Sequence, residues 1–274
     1  MCRYWGVSRQ AYYKGRGKRD IKATQYSLLL DHVKGIRKSQ TKMGTLKIRH
    51  ELRQQIKACG RGFGRDKFFE LLRKHDLLVK RRRKYVVTTN SNHPFYKYNN
   101  KLSTASVTAP DQAWVSDITY LRTRERFVYL SLVTDLYSRK IVGWNVDVSL
   151  GVEGSIRALN KAIKQCSDKI GLIHHSDRGI QYCCYAYTDI LKKHGLNISM
   201  GDVGNCYDNA VAERVNGILK SEFLLDTEFA NYNDAVKATK EAIHLYNFER
   251  PHWSLNLDKP AIVHSRKMKQ DLKW

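Results

Sequence analysis

Three carboxylates occupy positions where a carboxylate is conspicuous. Asp117 lies inside "WVSDITYL", a run otherwise rich in strand formers, and Asp177 closes "LIHHSD" just before the turn Arg178-Gly179. Glu213 falls within "DNAVAERVNGILKSEFL", whose apolar residues recur at helical period. Taken singly, each has an ordinary reading: a strand Asp as a turn or hydrogen-bonding residue, a helix Glu as part of a solvated face. Gathered together they would do chemistry. Like charges within a few ångströms raise one another's pKa and weaken the fold, and a hard divalent cation reverses that penalty. Mg²⁺ takes oxygen ligands and draws one or two carboxylates per ion plus substrate phosphate. Two such ions about 3.5–4 Å apart can serve an in-line phosphoryl displacement. No G-x-x-x-x-G-K-[ST] loop is present, so nucleotide-driven chemistry has no support.

The helix around Glu213 can be sorted by face. Asn209, Glu213, Asn216 and Lys220 follow a 4, 3, 4 spacing and form one polar stripe. Val211, Val215 and Ile218, with Leu219 beside them, form an apolar stripe suited to packing on a sheet. The polar stripe then looks along the sheet edge toward strand ends such as Asp177. The period permits a cluster without requiring one.

The elements that would position these residues begin at residue 111. "AWVSDITYL" reads as a strand, and "FVYLSLVTDLYSRKIVGWNVDV" as two strands joined by a turn near Ser138. "GVEGSIRALNKAIKQC" is an amphipathic helix, "IGLIHHSD" a short apolar strand, "YAYTDILKKHG" a helix capped at Gly195 and "NISM" a short strand. The helix of Glu213 and a last one, "NYNDAVKATKEAIHLYNFERPH", stopped by Pro251, complete an order βββαβαβα. That order describes a mixed sheet covered by helices, an α/β layer fold. His174 and His175 precede Asp177; on a strand one faces inward and the other outward, and oxygen donors suit Mg²⁺ better than either. Asp135 and Asp208 read as turn or capping residues.

Upstream the pattern differs. Residues 1–85 read as helical, with Tyr26, Leu29, Leu30 and Val33 at one helical face and Leu46, Ile48, Leu52 and Ile56 at another. A glycine-rich turn, "GRGFGRD", leads into "DKFFELLRKHDLLVK", a helix-turn-helix-like arrangement. The charge is concentrated here. The formal net charge is +23, and residues 1–101 hold 27 Lys+Arg against 6 Asp+Glu, leaving the remainder nearly neutral. A basic helical domain joined to a neutral one points to a polyanion partner, and the run Lys80, Arg81, Arg82, Arg83, Lys84 makes DNA the favoured one. Residues 86–110, rich in Thr, Ser and Asn, read as a linker. The six cysteines form no C-x-x-C and no zinc pattern, and fit buried, reduced thiols. No apolar run of about 18 residues or secretory pattern is present, so a cytoplasmic, nucleoid-associated location with no membrane partner is expected.

The segments "WVSDITYL", "YLSLVTDLYSRKIVGW", "HSDRGIQY", "DNAVAERVNGILKSE" and "YNFERPH" together resemble the transposases of the insertion sequence 3 family, in particular their second-frame product with a retroviral-integrase-like (DDE) catalytic core. The resemblance spans about residues 1–265. Its most specific element is the interval between Asp177 and Glu213, which holds 35 residues, with Lys220 seven positions further on. It implies a ribonuclease-H-like mixed sheet flanked by helices over residues 111–225, a C-terminal helical extension over 226–274 and a basic helix-turn-helix-like domain over 1–85. It implies that Asp117, Asp177 and Glu213 form the catalytic and metal-binding triad for two Mg²⁺ ions, with Mn²⁺ as a substitute. Lys220 would contact a terminal phosphate of the element's DNA, and Asn209 would orient the glutamate or nearby DNA. Arg178, Gln181 and Tyr182 are placed either to meet DNA or to shape the turn.

The implied reaction is DNA cleavage at an element end followed by transfer of the 3′-hydroxyl end to another phosphodiester. Its partners are element-end and target DNA, and cutting two ends implies a homo-oligomer on DNA. Nothing matches the amino-terminal zinc module of retroviral integrases. The first reading frame of such elements supplies a further helix-turn-helix and a coiled coil, so this chain is expected to act with, or fused to, that first-frame protein. Two other readings use parts of the pattern: another ribonuclease-H-like nuclease, such as a junction resolvase, and a DNA-binding regulator with an inactive core.

Overall fold

The computed structural model describes residues 4, 6, 8–60, 62–79, 94–167, 169–201 and 209–270 of the 274. Lys80, Arg81, Arg82, Arg83, Lys84 and Asp208 lie outside the described residues. The chain divides into two compact units, Met1–Arg83 and Lys84–Trp274.

The first unit is helical. Helix α1 (Arg9–Ser39) starts where Ser8 Oγ accepts the Ala11 N–H, and its first half, carrying Arg9, Arg16, Arg19 and Lys22, is exposed. Its second half places Leu29, Leu30 and Val33 in a core with Ile48, Leu52 and Ile56, as the spacing predicts. The second apolar stripe is divided between α2 (Thr45–Glu51) and α3 (Arg53–Ala58), because Leu52 adopts ψ 21° and interrupts the helix. Gly60, at φ +94°, turns the chain, and Phe63 is buried from within that turn before α4 (Arg65–Lys74) adds Phe68 and Leu72 to the same core.

The second unit is a six-stranded mixed sheet with helices on both faces. Strands β1 (Ala113–Thr123), β2 (Phe127–Asp135) and β3 (Ile141–Asp147) form an antiparallel meander. After α5 (Val152–Gln165), β4 (Ile173–Ser176) returns parallel to β1; α6 (Ile180–Cys183) and α7 (Tyr185–Lys193) then lead to β5 (Asn197–Met200), parallel to β4. Helix α8 (Ala210–Glu222), β6 (Glu228–Phe229), α9 (Tyr232–Phe248) and α10 (Pro260–Gln270) complete the unit, and the sheet order is β3-β2-β1-β4-β5 with β6 paired to β1. One face packs Trp114, Val133 and Val142 against Leu159 of α5 and Tyr187 of α7; the other packs Leu121, Leu130 and Leu132 against Val215 and Leu219 of α8 and Tyr246 of α9. Gly143 lets α5 approach, since a Cβ there would lie 2.2 Å from the Ala158 carbonyl oxygen.

Two observations bear on the site. Strand β1 pairs with β2 along Trp114–Arg122, but on its other edge with β4 only over Ala113–Ser116 and with β6 only at Arg122 and Thr123. Among the described residues, 117–121 therefore have no strand partner on that edge. In addition, residues 94–110 carry no helix or strand but are docked: Phe95 and Tyr98 pack on the core, and the Lys101 N–H donates to Ser199 Oγ at 2.9 Å.

The last turn of α8 is tied to the end of α9. Arg250 is 2% exposed and donates from Nε and Nη2 to the two carboxylate oxygens of Glu222, both at 2.8 Å. Asn247 brackets Ile141 of β3 through its N–H and carbonyl, at 2.9 and 3.0 Å. A bidentate pair with so little solvent leaves an uncompensated charge when one partner is lost. Arg250→Ala is expected to cost about 3–5 kcal/mol of stability, measured by urea unfolding.

Candidate active site

Strand β1 and strand β4 run parallel with Ser116 opposite Ser176, so Asp117 and Asp177 are the next residues on neighbouring strands. Helix α8 crosses β1 on the face toward which Asp117 points. Asn216 Nδ2 donates to Asp117 Oδ2 at 2.7 Å, and Asp117 Oδ1 accepts the Ile118 N–H at 2.9 Å. Asp177 Oδ1 accepts the Gly179 N–H at 3.0 Å, a turn in which a glycine Cβ would stand only 3.0 Å from that oxygen.

The electrostatics follow from this crowding. Burial pushes the Asp117 carboxyl up to about 7, the negative charges of Asp177 and Glu213 add to the rise, and the Asn216 and Ile118 hydrogen bonds oppose it. Burial also raises Asp177, against the Gly179 hydrogen bond. Burial lowers the Lys220 ammonium, against the pull of Asp117. Lys220 Nζ sits 4.0 Å from the centroid of the Tyr120 ring. Glu213 is exposed in the first turn of α8.

The polar stripe of α8 is therefore not a uniform solvated face. Asn209 and Asn216 are buried against β1, Lys220 is half-buried, and Glu213 alone is open. Asn209 donates to the Ser116 carbonyl at 3.3 Å and so holds the backbone beside Asp117. Asn216 touches Asp117 directly; its place in the 4, 3, 4 stripe was the signal for it. Among the described residues its Oδ1 is buried with no hydrogen-bond partner.

Several neighbours have structural jobs. His174 and His175 are both buried, not one in and one out: His174 packs with Tyr182 and Tyr187, and the Ser199 hydroxyl that meets His175 is itself covered by the docked segment at Lys101 and Leu102. His174 Nε2 lies 2.8 Å from Ser116 Oγ and 3.0 Å from Tyr187 Oη, and burial lowers its pKa to about 3, so it is neutral. His175 Nδ1 lies 2.8 Å from Ser199 Oγ. Gln181 donates to the Leu150 carbonyl at 3.0 Å and Tyr182 lies in the core, so these two shape the fold.

A different trio, Asp111, Asp135 and His264, is the group among the described residues whose ligand-type atoms all lie within 4.8 Å of one another. Its oxygens are already engaged. Asp135 accepts from the Ser138 N–H and hydroxyl and from the Asp111 N–H, capping the β2–β3 turn as the sequence suggests. It sits at the opposite end of β1 from Thr123, beyond Ala113, and is a turn cap rather than the carboxylate group of α8. The ligand-type oxygens of Asp117, Asp177 and Glu213, by contrast, do not all lie within 4.8 Å of one another.

Residues 107–206 and 194–260 match two models of the integrase core domain. The chain is 39% identical over 266 residues to the "Insertion element IS600 uncharacterized 31 kDa protein" of Shigella sonnei, covering 95% of this chain and 96% of that protein. It is 32% identical over 244 residues to "Transposase InsF for insertion sequence IS3A" of Escherichia coli K12, covering 87% and 83%. The chain belongs to the insertion sequence 3 family of transposases. The transposase also shares its fold with a chain of the simian T-cell lymphotropic virus intasome, at a TM-score of 0.50 and 15% identity over 82% of this chain and 71% of that one. No helix among the transposase's described residues is long and apolar enough to cross a membrane.

The raised pKa of Asp117 has a direct consequence. Its folded value, about 7, lies above the ordinary 3.8, so its stabilising contribution is complete below about pH 3.8 and is lost as pH rises through 7. In the absence of metal, the transposase is expected to lose stability between about pH 4 and 7 relative to Asp117→Asn, in urea melts run across that range.

Proposed function

We propose that Asp117, Asp177 and Glu213 are the catalytic carboxylates of DNA cleavage and strand transfer at the ends of an insertion sequence. The observation that carries this reading is the Asp117 carboxylate, half-buried beside Asp177 at the end of the adjacent strand and loaded by the charges of Asp177 and of Glu213 from α8. Such an arrangement is unfavourable for a protein alone and favourable around a cation. The donors fit magnesium: all are oxygens, one is on strand β1 and one directly follows β4, and the exposed Glu213 leaves room for substrate phosphate. Bound Mg²⁺ would polarise the scissile phosphate and ease deprotonation of the attacking oxygen.

The protein's own groups divide the remaining work. Asp117 releases its proton to become a ligand, and Asn216 fixes which of its oxygens faces α8. Asn209 holds the Ser116 backbone and thereby the start of the site. Lys220 lies close enough to Asp117 to feel its field, which suits it to a phosphate oxygen next to the reacting one. In cleavage, the oxygen of water bonds to phosphorus as the bond to the 3′-oxygen breaks, leaving a 3′-hydroxyl. That hydroxyl then bonds to a second phosphorus, displaces its 3′-oxygen and joins the two DNAs. The exposed basic half of α1 and the Lys80–Lys84 run supply contacts to the duplex backbone. Acting at two ends calls for more than one copy on the DNA.

Glu213→Gln and Asp177→Asn are expected to lower strand transfer about 10³-fold, the effect of losing several kcal/mol of transition-state stabilisation, with the fold intact by circular dichroism. Full strand-transfer activity in Glu213→Gln would overturn the assignment, and cleavage without joined product would point to a nuclease. Asn216→Leu is expected to weaken Mg²⁺ binding about 10- to 100-fold, measured by titration calorimetry. In the unaltered protein that affinity should climb as pH rises toward 7, as the Asp117 proton is displaced.

A further inference from the structure

Beside the carboxylates lies an aromatic pair that the fold does not use. Tyr120, three residues after Asp117 on β1, is 54% exposed, and Phe127 on β2 is 44% exposed. Their ring centroids are 5.4 Å apart at 77°. Register pairs Phe127 with Arg122, so Tyr120, Arg122 and Phe127 share one sheet face. Each ring carries a cation: Lys220 Nζ stands 4.0 Å from Tyr120, and the Arg122 guanidinium 5.7 Å from Phe127. Asp117 points to the α8 face and Tyr120 to the other. Lys220 nevertheless reaches Tyr120 from α8, past the edge of β1 that has no strand partner.

We propose that Tyr120 and Phe127 form a stacking platform for an unpaired nucleobase of the DNA end, with Lys220 and Arg122 meeting its flanking phosphates. This rests on the catalytic reading given above. Exposed aromatic faces flanked by cations fit single-stranded nucleic acid, because a stacked base meets the ring while the cations neutralise its backbone. A base inside duplex DNA has both faces covered by its neighbours, whereas an unpaired base brings a free face to the ring and its own flexible backbone to the cations. Three residues of strand span about 10 Å. The stacked base therefore lies within about three nucleotides of the scissile phosphate, given about 3.4 Å per stacked step. The transposase would hold its DNA end frayed, with the unpaired base parked on Tyr120 and the reacting phosphate at Asp117.

The test uses the full chain with Ca²⁺ in place of Mg²⁺. The probes are a blunt duplex and a fork of the same sequence with three unpaired terminal nucleotides, each carrying 2-aminopurine at a terminal or an internal position. The unaltered protein should bind the fork about tenfold more tightly than the blunt duplex and quench the terminal fluorophore, not the internal one. Tyr120→Leu should abolish both the preference and the quenching, while Tyr120→Trp should keep them. A folded Tyr120→Leu variant with unchanged fork preference and quenching overturns the proposal. So does a Tyr120→Leu variant that binds both probes as before but sediments with altered self-association, which would make the patch a protein interface. Failure of the catalytic reading registers elsewhere, as strand transfer by Glu213→Gln, and leaves the fork measurement independent of it.

Discussion

The site depends on a repulsion. Parallel pairing of β1 with β4 sets Asp117 and Asp177 side by side at the end of their shared ladder, in a region of little solvent. A fold that only needed stability would place neither there. The costs are offset locally: each carboxylate accepts a backbone N–H, and Asp117 accepts the Asn216 amide as well. Those hydrogen bonds are too few to restore an ordinary carboxylate, so Asp117 stays near 7. Charge therefore enters the site cheaply only with a cation, which makes the carboxylates a site that is completed by its ligand.

The surrounding architecture holds that strained pair still. Helix α8 is fixed at three points along its length: Asn209 to the β1 backbone, Asn216 to Asp117 and Glu222 to the buried Arg250. Between the first two, Glu213 is left free in the first helical turn. Arg250 in turn follows Asn247, which brackets β3, so the far end of α9 joins the sheet to the last turn of α8. The stripe 209, 213, 216, 220 alternates buried anchors, Asn209 and Asn216, with the more accessible Glu213 and Lys220. Rigid placement of the supports matters because a small displacement of a catalytic oxygen costs far more rate than stability.

Much of this was legible in the residues, for identifiable reasons. The helical stripe of α8 is a periodic signal, the mixed sheet covered by helices follows from alternating strands and amphipathic helices, and the 35-residue interval from Asp177 to Glu213 carried meaning through the family resemblance. What periodicity cannot carry was missed. The docking of residues 94–110 rests on single contacts such as Lys101 to Ser199, which leave no pattern. The break at Leu52 is a backbone choice inside an unbroken apolar stripe. His174 and His175 were read as one in and one out because strand alternation says nothing of how many faces are covered. Tyr120 sits in a run of strand formers that gives it no mark of its own, and its exposure and its cation set it apart only in the fold.

The unpaired stretch of β1 connects these observations. An open strand edge is usually a hazard, since its backbone groups invite pairing with another chain. Here β4 stops at Ser176 and β6 begins at Arg122's partner, Glu228, leaving a gap five residues long between them. Asp117 lies at one end of the gap, Tyr120 lies within it, and Lys220 spans it from the helix above. A longer β4 would have covered the edge and enclosed the carboxylates. The short strand, the exposed glutamate and the cation-capped aromatics thus meet at one feature: the sheet is left incomplete beside Asp117.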